Sequence, residues 1–564
     1  MDNYKKYKDH FTSLKSARKT WDTMYQTLGE YISLTEQNFE GQPANGEFLY
    51  DEVFDSKGAY AAINSASVLS GMLWQGSAAQ SIYIKEPSDL ENPTTEEAEY
   101  YDYITNKIVN AFDDPRAGFL LAWDEYMLDQ IIFGTSGIGV EAGTDSLLKF
   151  SPYGVKEMYI DEGARGKVTD IFLFYEWPVK RVVSEYGIDN VTDKVKQKYE
   201  QGKLNDTVKI LVCLVPREHF KAEAGALAMP IMSLHMEYDS CHALRESGYS
   251  ELPIKVARFR KLNYEKYGRS NGMFALSDIK EKNILAEMFI VATEKSLDMP
   301  KGVMNDSVLG STIDTSAGAI NVFNATAVSG NANPIFDIGT VPNVQIALER
   351  MRELDESIAQ HFYIDRLLDF NNDTQMTFGE AQIRAGRSNA SLAGLFARQI
   401  NEAITPTVDR GVNILFQMGE LGVIKGSEQH RMRVAEGKEF MLIPDRLIER
   451  LDAGQDIYNI GYRTQASNAS RSEEYIAIID VIGFTLQAMQ VDPDIRLRVD
   501  LDEAVKRVSD IRGLPVGIIR EDDEVQQMKE AQAQAQQSQQ EMMQMQAGAD
   551  VVEKLASANQ AVRD

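Results

Sequence analysis

Cysteine is nearly missing from this sequence. Two residues among 564, Cys213 and Cys241, cannot build a disulfide framework and fit a protein assembled in a reducing cytoplasm. Basic charge is also short: 58 Lys and Arg stand against 85 Asp and Glu, a formal net charge of −27. A protein that grips nucleic acid by neutralising phosphates needs the opposite balance. That argues against a tight, sequence-reading DNA binder, but not against a protein that DNA slides through without sticking. No run of about 18 apolar residues occurs, so no membrane span is expected. The polar start Met1-Asp2-Asn3-Tyr4-Lys5-Lys6 shows no secretory signal.

The usual marks of catalysis are missing as well. A phosphate-cradling loop needs Gly-Lys followed by Ser or Thr. Here the Gly-Lys pairs at 166, 202 and 437 run on into Val168, Leu204 and Glu439. Gly134, Gly137, Gly139 and Gly143 mimic a dinucleotide loop, but their strand follows rather than precedes them, so a turn and strand is the better reading. There is no His-Glu-x-x-His, no Cys-x-x-Cys and no Gly-x-Ser-x-Gly. His235, Cys241 and His242 lie close in sequence, yet a fourth metal ligand is not evident, and polar residues of a strand and turn explain them. We expect no enzyme activity, no cofactor and no metal.

Hydrophobic residues make up 43% of the chain, ample for a core, and the length suggests three or four domains. Phe11, Leu14, Trp21, Tyr25, Leu28 and Ile32 form one helical stripe. Asp55-Ser56 offers an N-cap for a helix rich in small residues that runs to Trp74. Thr94 to Glu97 opens a further helix, broken at Asp114-Pro115, and another spans about Ala117 to Phe133 before Gly134. From Gly134 to Arg260 the period shortens. Strands are expected at Ile138–Val140, Ile171–Tyr175, Val208–Val215, Ile231–Met236 and Ile254–Phe259, with a turn at 161–166 and short helices at Val179–Tyr186 and Val191–Tyr199.

Helical patterning returns at Ser277-Asp278, runs to about 297 and stops before Pro300. A Gly/Asn/Ser/Thr-rich insertion of loops and strands fills 301–343, and Val344–Phe362 is helical again. So two helices bracket one insertion. Residues 363–375 read as a loop, and Thr377 with Glu380 caps a long helix toward Met418, bent near Pro406. After a mixed region and a helix at Ser472–Met489, residues 521–546 are rich in Gln, Ala, Met and Glu. They are a solvated helix, a bundle formed on assembly, or disorder. Lys280 and Lys282, near Arg269, and Arg366, near Asp365, Asp369 and Asn371, read on physical grounds alone as a solvated helix face and a loop.

Several stretches, in order, are similar to the portal proteins, or head-to-tail connectors, of short-tailed phages. They are Val53-Phe54-Asp55-Ser56 with Leu73-Trp74, Phe133-Gly134-Thr135, Glu185-Tyr186-Gly187, Glu246-Ser247-Gly248-Tyr249, Val256-Ala257-Arg258-Phe259, Tyr267-Gly268-Arg269-Ser270 and Met376-Thr377-Phe378-Gly379-Glu380-Ala381. The resemblance covers about residues 5 to 500, with Asn271 where a proline is expected.

The resemblance implies a mixed α+β, predominantly helical fold assembled as a homo-dodecameric ring around an axial channel. Residues 1–275 would form the wing, 276–298 and 344–362 the stem helices, and 299–343 the clip. Residues 363–375 would be the tunnel loop, 376–425 a long wing helix, 426–520 the crown and 521–564 a helical tail. It further implies a virion location, with assembly in the host cytoplasm. The implied partners are the major capsid protein, a scaffolding protein, the terminase large subunit, a tail adaptor and double-stranded DNA passing non-specifically. Lys280, Lys282 and Arg366, with Asn371 and Asn372 as neutral contacts, would guide DNA in a channel whose acidic walls do not hold it. A tail adaptor or internal core protein is the structural alternative. A hydrolase with an unrecognised carboxylate pair and an acidic DNA mimic stay open beside it.

Overall fold

The stripe along the first segment becomes the buried side of a helix. In the computed structural model, α1 (Asp2–Leu28) continues through a π-helical turn at Gly29–Ser33, and Phe11, Leu14, Tyr25, Leu28 and Ile32 are buried. The structure describes residues 2–33, 53–74, 76–87, 90, 94–217, 229–304, 313–323, 335–338, 344–364, 394–437, 440–462 and 477–485, with isolated positions at 500, 504–505, 507–508 and 528. The chain divides into two compact units, Met1–Ala469 and Ser470–Asp564. In the second, a helix is described over 477–485, inside the expected 472–489.

In the first unit the main core gathers α1, α2 (Lys57–Leu73), a short α3 (Ala78–Ser81), α4 (Thr95–Asp113) and α5 (Phe119–Phe133). α2 has Ala61, Ala62, Ser65 and Ala66 buried, so the apolar α5 lies close against it. Ser56 holds the N-cap position without a side-chain cap bond. Asp55 serves instead, its Oδ1 accepting from Lys57 N at 2.9 Å. The capping box on α4 forms between Thr94 and Glu97. α5 ends at Gly134 in the left-handed region, φ 81°, where a residue with a Cβ would be strained.

The β region is two antiparallel sheets. One has the order β3-β2-β9, from Leu148–Gly154, Thr135–Ala142 and Ile254–Arg258. The other is the meander β4-β5-β6-β7-β8, from Met158–Glu162, Val168–Pro178, Thr207–Pro216, Ile231–Glu237 and His242–Tyr249. The helices α6 (Val179–Tyr186) and α7 (Asp193–Glu200) lie within this stretch. Three of these strands were not expected. β3 carries Pro152 and β8 is polar, and both are edge strands, where neither proline nor polarity is penalised. A fourth unexpected strand, β1 (Ile82–Lys85), pairs antiparallel with β13 (Asn459–Tyr462). Its four residues give too short a pattern to be read as a strand.

α8 spans Asn271–Leu297, capped by Ser270, whose Oγ accepts from Met273 N at 3.0 Å. It starts six residues before the expected Ser277, so the division expected at 275/276 falls inside the helix. The insertion contains β10 (Lys301–Met304) with β11 (Ile320–Phe323) parallel on one side and β12 (Ile335–Asp337) antiparallel on the other. α9 follows at Val344–His361. The expected helix start at Thr377 lies outside the described residues. From 394 the chain is helical and widens into a π turn at Ile400–Ile404, just ahead of Pro406 in α10 (Thr405–Gln417). Proline has no N–H for the carbonyl four residues back, and the wider turn accommodates that loss.

Candidate functional site

α8 and α9 run antiparallel, as their cross-links show. Asp278 Oδ2 accepts from Ser357 Oγ at 2.5 Å, Arg350 Nε donates to Glu281 at 2.8 Å, and Lys282 Nζ donates to Asp355 at 2.6 Å. Leu354 and Ile358 are buried beneath them. Lys282 is therefore no free channel cation. It is 5% exposed and also lies 2.9 Å from Asp55. This is a correction to the sequence reading, and the cause is partner choice: two carboxylates, from the entry to α2 and from α9, hold the ammonium inside. Its neighbour Asn283 reinforces the joint, accepting from Phe54 N at 2.7 Å and Asp55 N at 3.2 Å.

Lys280 points the other way, its Nζ 5.2 Å from the centre of the Tyr31 ring, and lines an open groove with α1. Arg366, Asn371 and Asn372 lie outside the described residues. The chain toward them leaves α9 through Tyr363, whose φ of 60° is unusual for a residue with a side chain. Arg260 Nη2 donates to the Tyr363 hydroxyl and braces it there.

A second cluster lies where β9, the β4–β5 turn and the π turn meet, and sequence reasoning missed it. Arg258, 3% exposed, pairs with Glu162 and Glu402 and donates to Gly166 O at 3.1 Å. Arg18 is buried on α1, donating to Val155 O at 2.6 Å and Met158 O at 2.8 Å over the face of Tyr159. The available signal was an arginine inside an otherwise apolar strand, Val-Ala-Arg-Phe. Beside it three of the quoted stretches touch. Gly268 N donates to Thr135 Oγ1 at 2.8 Å, Phe259 N donates to Gly134 O at 2.9 Å, and a Cβ on Gly134 would fall 2.5 Å from Gly268 O.

The candidate metal residues do not converge. His242 Nε2 is 3.1 Å from Asn190 O, and His235 Nδ1 is 2.9 Å from Tyr186 Oη. Burial, and then the Arg245 charge, push His235 down to about 4. Ser233 Oγ lies 3.3 Å from His235 Nε2, but that serine is buried in the sheet and offers no substrate a path. Burial pushes the Cys213 thiol up, so it is inert. Among the described residues His10, Asp161 and Asp170 do come together. Asp161 is already claimed by Lys266 at 2.5 Å, with His10 Nε2 2.9 Å away. These groups tie α1 and the chain ahead of α8 to β4. None of them forms an open nucleophile and base.

The sequence that builds these struts and paired long helices has a family counterpart. The sequence model described as bacteriophage head to tail connecting protein matches residues 4–435, well over half of the chain. The chain belongs to the bacteriophage head-to-tail connecting proteins. It is similar to the portal protein of Salmonella phage epsilon15, 23% identical over 411 residues, covering 71% of this chain and 68% of that one. It is also similar to the probable portal protein of Bordetella phage BPP-1, 21% identical over 558 residues, covering 97% and 94%. As a connector the chain is a structural component of the virion. The family match takes in α1 through α10 and both clusters described above. Among the described residues no helix is long and apolar enough to cross a membrane.

Proposed function

We propose that the chain forms the portal at one capsid vertex, a homo-dodecameric ring around an axial channel through which DNA enters on packaging and leaves on ejection. The observation that carries this reading is the antiparallel α8–α9 pair bracketing a small sheet. That order is the one expected of a stem ending in a clip, with α8 about 40 Å long at 1.5 Å per residue. The clip sheet leaves Ile320 and Ile335 exposed, which suits a segment completed by neighbours and by docking proteins. Terminase would meet it during packaging and a tail adaptor afterwards. The major capsid and scaffolding proteins would surround the wing while the particle assembles in the host cytoplasm.

The net charge of −27 supports a channel that repels the duplex along most of its length, which keeps it free to slide. Lys280 and Arg366, with Asn371 and Asn372, remain the proposed guides; Lys282 does not. No nucleotide loop is in the sequence, so a separate ATPase would drive the motor. Negative-stain electron microscopy with end-on classification tests the reading. Rings with a hole wide enough for a duplex are expected, and a homogeneous monomer or dimer that never closes with its capsid or scaffolding partners overturns it.

A further inference from the structure

α1 is a basic helix on an acidic protein. Across Asp2–Leu28 it carries Lys5, Lys6, Lys8, Lys15, Arg18 and Lys19 against Asp2, Asp9 and Asp22. Its outer side meets α8 in an open groove of about 680 Å³, lined by Lys19, Thr20, Thr23 and Thr27 from α1 and by Leu276 and Lys280 from α8, with no acidic residue in the lining. At 100° per residue, Leu276 and Lys280 stand on the side of α8 opposite Asp278 and Lys282, which hold α9. The groove and α9 therefore occupy opposite flanks of α8.

α9 in turn presents an acidic row away from its buried Leu354 and Ile358. Ile346, Glu349, Glu353 and Glu356 recur at three- and four-residue steps and are all exposed. Glu353 also takes a hydrogen bond from Arg350 of the same helix, at 3.0 Å. The groove flank is thus basic around Lys19 and Lys280, with Glu287 two turns further along α8, and the α9 flank is net acidic, its three glutamates standing against the exposed Arg352 beside Glu349 and Glu356.

Resting on the ring reading above, we propose that the α1–α8 groove of each copy receives the acidic row of α9 from the next copy, which takes Lys280 out of the channel and leaves Arg366, Asn371 and Asn372 as the proposed guides. Two unlike patches on opposite flanks make a head-to-tail contact, the kind that closes into rings rather than two-fold dimers. Copies that each carry −27 repel one another, so an interface between them needs its basic surface set against acid. The heights also agree. With the helix pair running along the ring axis, rotation keeps every residue at its own level. The internal Lys282–Asp355 pair puts Lys280 level with Glu353 and Glu356. Further along α8, Met288, 62% exposed, comes level with Ile346, 68% exposed. Covering these two supplies apolar area, because exposed ion pairs alone contribute little.

The test uses two charge-reversed full-length chains. One carries Lys19→Glu and Lys280→Glu; the other carries Glu349→Lys, Glu353→Lys and Glu356→Lys. Ring content is read by native mass spectrometry and negative stain beside wild type. Each variant alone is expected to lose rings by at least roughly tenfold, since it sets like charges against each other. An equal mixture of the two is expected to form rings of alternating copies, which also shows that both variants fold. If either variant alone forms rings like wild type, the interface lies elsewhere and this inference falls while the ring reading stands. Loss of DNA retention with rings intact would give the groove to the phosphate backbone instead. Wild type that forms no rings even with its capsid or scaffolding partners removes both readings together.

Discussion

Lys282 Nζ sits 2.6 Å from Asp355 Oδ1 and 2.9 Å from Asp55 Oδ2, so one ammonium joins the entry to α2, the middle of α8 and the middle of α9. Replacing it leaves two carboxylates facing each other. Lys282→Met is expected to cost about 1–3 kcal/mol in urea unfolding, less than a fully buried pair because both aspartates are partly open to solvent. A melt identical to wild type, together with a DNA-retention defect, would return this lysine to the channel.

Arg258 draws the β4–β5 turn, β9 and the π turn onto one guanidinium. Arg258→Ala is expected to lower stability by about 3 kcal/mol, because Glu162 and Glu402 are left half-buried with the main cation gone. Arg258→Lys should recover only part of the loss, since an ammonium cannot span both carboxylates in a fork. Full recovery by lysine would show that only charge matters there.

Gly134→Ala meets two obstacles, a φ of 81° and backbone of Gly268 to Ser270 within 3 Å of the new Cβ. A loss of about 2–4 kcal/mol is expected by denaturant unfolding. Gly202→Ala, also at positive φ but with open space around it, is the control and should cost about 1 kcal/mol. Equal losses at the two positions would mean that the close approach contributes nothing.

His235 gives the fold a pH dependence. Burial pushes it down to about 4, whereas the unfolded chain takes up the proton near pH 6.5, about the ordinary value. Between those values the unfolded state binds more protons. The contribution of this site is therefore complete above about pH 6.5, declines as pH falls toward 4 and levels off below. Urea unfolding across that range should show a shallower slope for His235→Phe than for wild type. An unchanged slope would mean that the imidazole is not held neutral.

Most helices and the central strands were legible because their apolar residues repeat at one period over many positions. Val179–Tyr186 and the Gly134 stop are examples. The strands that were missed sit on edges or are only four residues long, where burial on one side leaves no clear alternation. The start of α8 was misplaced because Ser270 caps as well as Ser277 would, and only the packing of Gly272 against α5 and α1 decides between them. Of the proposed guide residues, the sequence could show that Lys280 and Lys282 lie on one helix. It could not show that a two-residue step turns one toward α1 and the other toward α9. Arg258 was quoted only as part of a strand; its role depends on Glu402, far along the chain, and no local pattern carries that pairing.

The pairing of β1 with β13 bears on when the protein can begin to assemble. Tyr101 donates to Ile457 O across 356 residues, and the strand pair closes beside it. Contacts so distant in sequence form late. A chain still on the ribosome must expose about 460 residues before this core can shut, which at ~10 residues per second is close to a minute of synthesis. Until then α4 lacks its cover, and a truncated or stalled chain has no finished core to offer. The fold thereby ties completion of this core to copies that have been translated past Tyr462.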